Sequence, residues 1–179
     1  IGTATLITMV LTVAVLVHQV PILTEAGVSR TNAAYLASMA GIAGIIGKLA
    51  TGYLMDRFDA GWVGGLTMAI AAVAFFLLLA PSKTPVMIVI AMIIIGYSSG
   101  CKLQICAYLT GKYGGMRNFG KIFGFMASLI ALGGGLGPVL AGAIHDAYGS
   151  YTPLIVASIP GSLIAGLLIV GLGPFPTEF

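Results

Sequence analysis

Apolar positions in this chain run on continuously for about twenty residues at a time, with short polar breaks between the runs, and do not alternate as they would in strands. Six such runs are legible, at about 1–23, 31–55, 61–80, 85–110, 122–144 and 154–172. A helix of ~20 apolar residues crosses a hydrocarbon core of ~30 Å, so the pattern predicts an all-α polytopic membrane protein with six transmembrane helices. Proline and glycine mark every boundary: Pro21 with the TEAGVSR turn, Pro81 with Ser82 and Lys83, Thr84 with Pro85, the loop GKYGGMRNFGK, and DAYGSYTP. The first run has no initiator Met, basic leader or cleavage site, and reads as a span and not as a signal peptide. The chain is accordingly expected to be part of something longer.

Composition excludes the soluble classes. With 59% hydrophobic residues, 7% charged and a mean hydropathy of +1.09, folding in water would leave much apolar surface exposed, so the lipid bilayer is the expected solvent. The net charge of +3 is too small and too scattered to suggest a nucleic-acid partner. Its placement carries more information. The breaks after the second and fourth runs hold Arg57, Lys112, Arg117 and Lys121, whereas those after the first, third and fifth hold Arg30 and Lys83. By the positive-inside rule the first set is cytoplasmic, which puts both ends of the chain in the cytoplasm, and the expected location is a bacterial inner (plasma) membrane.

Candidate chemistry starts from the stretch at 41–60, GIAGIIGKLATGYLMDRFDA. Lys48 and Lys102 are the formal charges at membrane depth, while Glu25, Asp56, Asp59, Asp146 and Glu178 all fall at span ends, in a loop or in the tail. Unpaired ammonium groups in a low-dielectric cavity attract an anion, and a small carboxylate would neutralise one of them. The competing reading is that each lysine snorkels to the interface. Tyr97, Cys101, Gln104 and Tyr108 recur with helical spacing around Lys102, a polar and aromatic stripe suited either to a wet pathway or to interhelical hydrogen bonds. His18 with Gln19 stands near the outer end of the first span, as a proton carrier, a gate or an interfacial histidine. Gly41, Gly44 and Gly47 in the second span, and Gly133, Gly134, Gly135 and Gly137 before Pro138 in the fifth, permit close and sliding helix contacts.

Other chemistry fails on context. The letters of a nucleophile elbow occur at Gly96–Gly100, but inside an apolar helix and with no acid and histidine partners. Cys101 and Cys106 point to different sides of one helix and match neither a disulfide nor zinc spacing. No metal site, no cofactor and no enzymatic activity are expected.

Gly52, Leu54, Asp56 and Arg57 resemble the G-x-L-x-D-R loop motif of the major facilitator superfamily, with Asp59 and Ala60 where that motif continues with glycine and arginine. Together with HQVPILTEAGVS, GIIGKLATGYLMDR, RNFGKIFGFM and GPVLAGAIHDAYGSYTP, they make the whole chain similar to the C-terminal half of the monocarboxylate and oxalate/formate branch. The resemblance implies one half, a 3+3 inverted repeat, of a twelve-helix transporter whose N-terminal six-helix half is the missing partner. It implies alternating access for small mono- or dicarboxylates by proton symport or anion exchange. It also implies that Lys48, four residues before Gly52, is the carboxylate ligand, as a point charge where the branch often has arginine. The acidic residue that some members carry four positions earlier is Gly44 here, so a proton carrier must lie in the other half or be His18. The alternative class is a non-transporting six-helix scaffold or an intramembrane enzyme.

Overall fold

The computed structural model describes residues 1–81 and 84–173, the side chain of Met116 excepted; Lys83 and Glu178 lie outside the described residues. Among the described residues eight α-helices follow one another, joined by short connections: α1 Gly2–Val17, α2 Gln19–Glu25, α3 Arg30–Arg57, α4 Ala60–Ala69, α5 Ala71–Leu79, α6 Pro85–Gly114, α7 Phe119–Tyr148 and α8 Thr152–Val170. Five stretches are each apolar and long enough to cross a membrane: α3, α4 with α5, α6, α7 and α8. The pair α1 and α2 makes a sixth when counted as one span.

That first span is not straight. A bend of 64° separates α1 from α2, where a continuous helix over 1–23 is expected. Pro21 supplies the physical reason, because its ring clashes with the carbonyl four residues back, at Val17, and it has no N–H to bond there. A second departure is the glycine-rich connection GKYGGMRNFGK. Most of it is helical: α6 continues through Lys112 to Gly114, Gly115 turns the chain at φ +69°, and a 3-10 turn at Met116–Asn118 leads into α7. The glycine able to adopt positive φ ends the helix, and the preceding ones are absorbed by it. The starts of α3, α4 and α6 follow side-chain caps. Ser29, Asp59 and Thr84 accept from the backbone N–H groups of Asn32, Trp62 and Met87 at 3.3, 2.9 and 3.3 Å.

Packing reveals an internal repeat. Taking α1/α2, α3 and α4/α5 as one triplet and α6, α7 and α8 as the other, the most extensive contacts are α3 on α6 and α1 on α7. Exchanging the triplets turns the first of these pairs into the second. The α4/α5 pair on α8 maps onto itself. Each pairing is made by backbones touching through glycine. A side chain on Gly96 or Gly100 would collide with the carbonyl of Ala40 or Gly44 across the α3/α6 seam. A Cβ on Gly137 would fall 2.9 Å from Ala14 N in α1, and Gly65 and Gly166 each point at the other's carbonyl at 2.7 Å. Helices in lipid gain little from hydrophobic burial against one another, so small residues that admit close van der Waals contact decide where they pair.

Gly96→Ala tests this. In an isolated helix the change is favourable by roughly 0.5–1 kcal/mol; here a destabilisation of about 1–3 kcal/mol is expected from overpacking, read as a lower thermal midpoint in detergent. A raised midpoint would show that the seam is loose.

Candidate functional site

Lys48 emerges on the exposed side of α3 among Ile45, Leu49 and Tyr53, which are 63%, 75% and 56% exposed. The described carboxylates, Glu25, Asp56, Asp59 and Asp146, sit at or next to helix ends. The end of α3 at Arg57 is ~13 Å further along the axis at 1.5 Å per residue, beyond the reach of a lysine stem. An ammonium group on such a face is costly in lipid, at ~2.5–3.5 kcal/mol, unless something polar or anionic meets it.

The α3/α6 seam brings three of the sequence-derived candidates beside this position. Gly52, one turn beyond Lys48, is contacted by the side-chain amide of Gln104 from α6, which occupies the place a Cβ would take. One position earlier, Thr51 bonds the Tyr97 hydroxyl at 2.9 Å and donates to Cys101 Sγ at 3.1 Å. A Cβ on Gly47 would stand 3.0 Å from the Tyr97 ring, so this ring packs against α3. Further down, Tyr108 donates to the Met55 carbonyl at 3.1 Å. The glycines of α3 thus admit the polar side chains of α6, and Lys48 projects next to them.

Lys102 lies elsewhere. It is 2% exposed, and Nζ donates to the Thr8 carbonyl at 2.8 Å and to the Thr12 hydroxyl, both on α1. Thr8 in turn donates to the Ala4 and Thr5 carbonyls. Lys102, a candidate anion site in the sequence, is thus placed against α1, apart from Gln104 and Tyr97. Two residues before Gln104, its side chain leaves α6 on the α1 side, and its ammonium is spent tying α1 to α6. Thr8 and Thr12 are the residues that sequence reasoning passed over; their spacing of one helical turn on α1 was the available signal, but nothing in sequence paired it with a position ninety residues away.

The loop motif is also resolved into separate contacts. Arg57 packs its guanidinium 4.6 Å from the centre of the Tyr53 ring, Asp56 is exposed, and Asp59, where the motif has glycine, is the N-cap of α4. His18 is remote from all of these, at the α1/α2 break, with Nδ1 3.0 Å from the Ala14 carbonyl. Near it Tyr151 is buried at the start of α8, and that burial, reinforced by the carboxylates of Glu25 and Asp146, holds its phenol above the ordinary range.

The Lys102 tie predicts an asymmetry. Lys102→Met removes the buried charge together with its need for partners and is expected to leave stability unchanged or raised. Thr12→Val removes one of the ammonium's two acceptors, leaving it the Thr8 carbonyl, and is expected to cost about 1–3 kcal/mol. Thermal unfolding of the two variants in detergent checks the ordering, and the reverse order would contradict the tie.

The family model of the Major Facilitator Superfamily matches residues 1–178. Monocarboxylate transporter 12 of Xenopus laevis is 26% identical over 165 residues, covering 86% of this chain and 34% of that protein. Monocarboxylate transporter 13 of Bos taurus is 28% identical over 146 residues, covering 79% of this chain and 34% of its own, and that of Rattus norvegicus is 29% identical over 147 residues, covering 79% and 33%. The chain therefore spans about a third of the length of these relatives. A match over nearly every residue, on a helical bundle whose described residues form five apolar spans, or six with the bent pair counted as one, makes this chain a member of the major facilitator superfamily.

Proposed function

We propose that this chain is the C-terminal six-helix half, residues 1–179, of a secondary active transporter of small organic anions, and that Lys48 binds the substrate carboxylate. The observation that carries the reading is an ammonium on the exposed apolar face of α3, with none of the described carboxylates beside it and with Tyr97 and Gln104 at the adjoining seam. The printed names of the relatives, monocarboxylate transporters, support the same substrate class. In this reading the six-helix half not present here covers that face, and the two halves rock about the site by proton symport or anion exchange. The Gly52, Asp56 and Arg57 corner works as the gating loop at the cytoplasmic face, since Arg57, Lys112, Arg117 and Lys121 gather at that end. Both ends of the chain then lie in the cytoplasm. The matched animal relatives lend no support to the expected bacterial inner membrane, so the reading keeps only an integral membrane location.

Uptake of labelled mono- and dicarboxylates into vesicles carrying the complete polypeptide, across a pH gradient, tests this. Lys48→Ala is expected to lower uptake about 10- to 100-fold, the equivalent of losing one charge-assisted hydrogen bond of about 1.5–3 kcal/mol, and Lys48→Arg to retain part of it. Undiminished uptake by well-inserted Lys48→Ala would show that the lysine serves the interface alone.

A further inference from the structure

At the end of the bundle opposite the basic turns, α2, α5 and α8 enclose a cavity of about 140 Å³. Its apolar wall comes from Ile22 of α2, Leu78 of α5 and Ile155 of α8, all buried, and its polar side from Glu25, Tyr151 and Thr152. Elements of both triplets therefore line it. Tyr151, which immediately precedes α8, packs against two rings, with centre-to-centre distances of 5.3 Å to His18 and 4.5 Å to His145. It is 7% exposed, yet no described residue bonds its hydroxyl. A phenol so enclosed normally has a partner, and the cavity it lines is where one can be placed.

The polar groups present select the occupant. Glu25 accepts from the Tyr151 backbone N–H at 3.2 Å through one oxygen and from the Ser150 hydroxyl through the other. A carboxylate oxygen has room for a second donor, so each retains acceptor capacity. Among the described residues no lysine or arginine is paired with Glu25. The hydroxyl oxygens of Tyr151 and Thr152 add acceptors, and Asp146 adds a second negative charge near Tyr151. An incoming carboxylate would meet Glu25 with like charge, whereas an ammonium group, which only donates, is matched by every one of these acceptors. Size sets the rest: an apolar cavity of about 150 Å³ admits benzene, so a body of about four to six carbons fits here.

We propose that this cavity binds a small organic cation, a primary ammonium whose head rests on Glu25 and the Tyr151 hydroxyl and whose apolar body lies against Ile22, Leu78 and Ile155. The site is distinct from the carboxylate face, since Lys48 and Gln104 stand on α3 and α6, which do not line it. Its occupant bridges α2 and α5 of one triplet to α8 of the other, and so stabilises that arrangement by mass action.

Protection of Ala26→Cys, at the rim of the cavity, from a membrane-impermeant maleimide tests this without any transported substrate. The result therefore stands apart from the carboxylate reading. The complete polypeptide is used, with its other accessible cysteines replaced, in reconstituted bilayers. n-Butylammonium is expected to slow labelling saturably, n-butanol to need about 10-fold more for the same protection, and n-butyrate to give none. Thr24→Cys, exposed on the same helix and outside the cavity, is expected to label at an unchanged rate. Glu25→Gln is expected to weaken protection by n-butylammonium about 10-fold, and Tyr151→Phe, which keeps the ring, about 5-fold. Should Glu25→Gln fail to insert, because the same carboxylate bonds the start of α8, Tyr151→Phe decides alone. Absence of protection, equal protection by n-butanol or n-butyrate, equal slowing at Thr24→Cys, or protection unaltered in the variants overturns the proposal.

Discussion

Backbones in this bundle meet through the side chains that glycine lacks. The carbonyls of Ala40 and Gly44 occupy the space in which Gly96 and Gly100 would carry Cβ atoms, and Gly137 stands in the same relation to α1. Inside a bilayer, helices surrounded by hydrocarbon gain nothing by hiding apolar surface from lipid, so contact at backbone distance, with its dense dispersion and Cα–H to carbonyl approaches, is what selects one partner over another. The two glycine seams, α3 on α6 and α7 on α1, are equivalent under exchange of the triplets, and the reciprocal Gly65 and Gly166 contact lies in the α4/α5 and α8 pairing that maps onto itself. The inverted repeat is therefore written in where side chains are absent.

Those seams also decide where polar groups go. With no Cβ at Gly52 or Gly47, Gln104 and Tyr97 lie against α3, and Thr51 satisfies the Tyr97 hydroxyl. Two residues from Gln104 the helix has turned, and Lys102 faces α1, where a carbonyl and a hydroxyl take its ammonium. One helix thus presents a polar seam to α3 and a buried cation to α1. The two membrane lysines, alike in sequence, end in opposite situations: one enclosed and bonded, the other standing on an apolar face that asks for a counterpart.

The ends of the bundle differ in chemistry as well. At one, α3 and α6 finish in basic turns, with Arg57 stacked on Tyr53 and Asp59 capping α4. At the other, Glu25 and Asp146 surround Tyr151 and two histidines. A bend sits at the acidic end, in the span whose lower part is held by Lys102.

The sequence by itself determined the solvent, the spans and the family. Continuous apolar runs leave a chain no aqueous fold, and the hydrocarbon thickness fixes their length. Caps and breakers such as Ser29, Asp59, Thr84 and Gly115 set several helix ends through one-residue chemistry, and the Gly52 to Arg57 corner was legible because its residues are neighbours in the chain. The tertiary structure decided what depends on the rotation of one helix against another. Which side of α6 Lys102 leaves from, its union with Thr8 and Thr12, and the meeting of His18 with His145 across Tyr151 all join residues from distant spans. Hydrophobicity that is nearly uniform around a helix carries no mark of its inward face, so only packing, through the glycine contacts, could assign it.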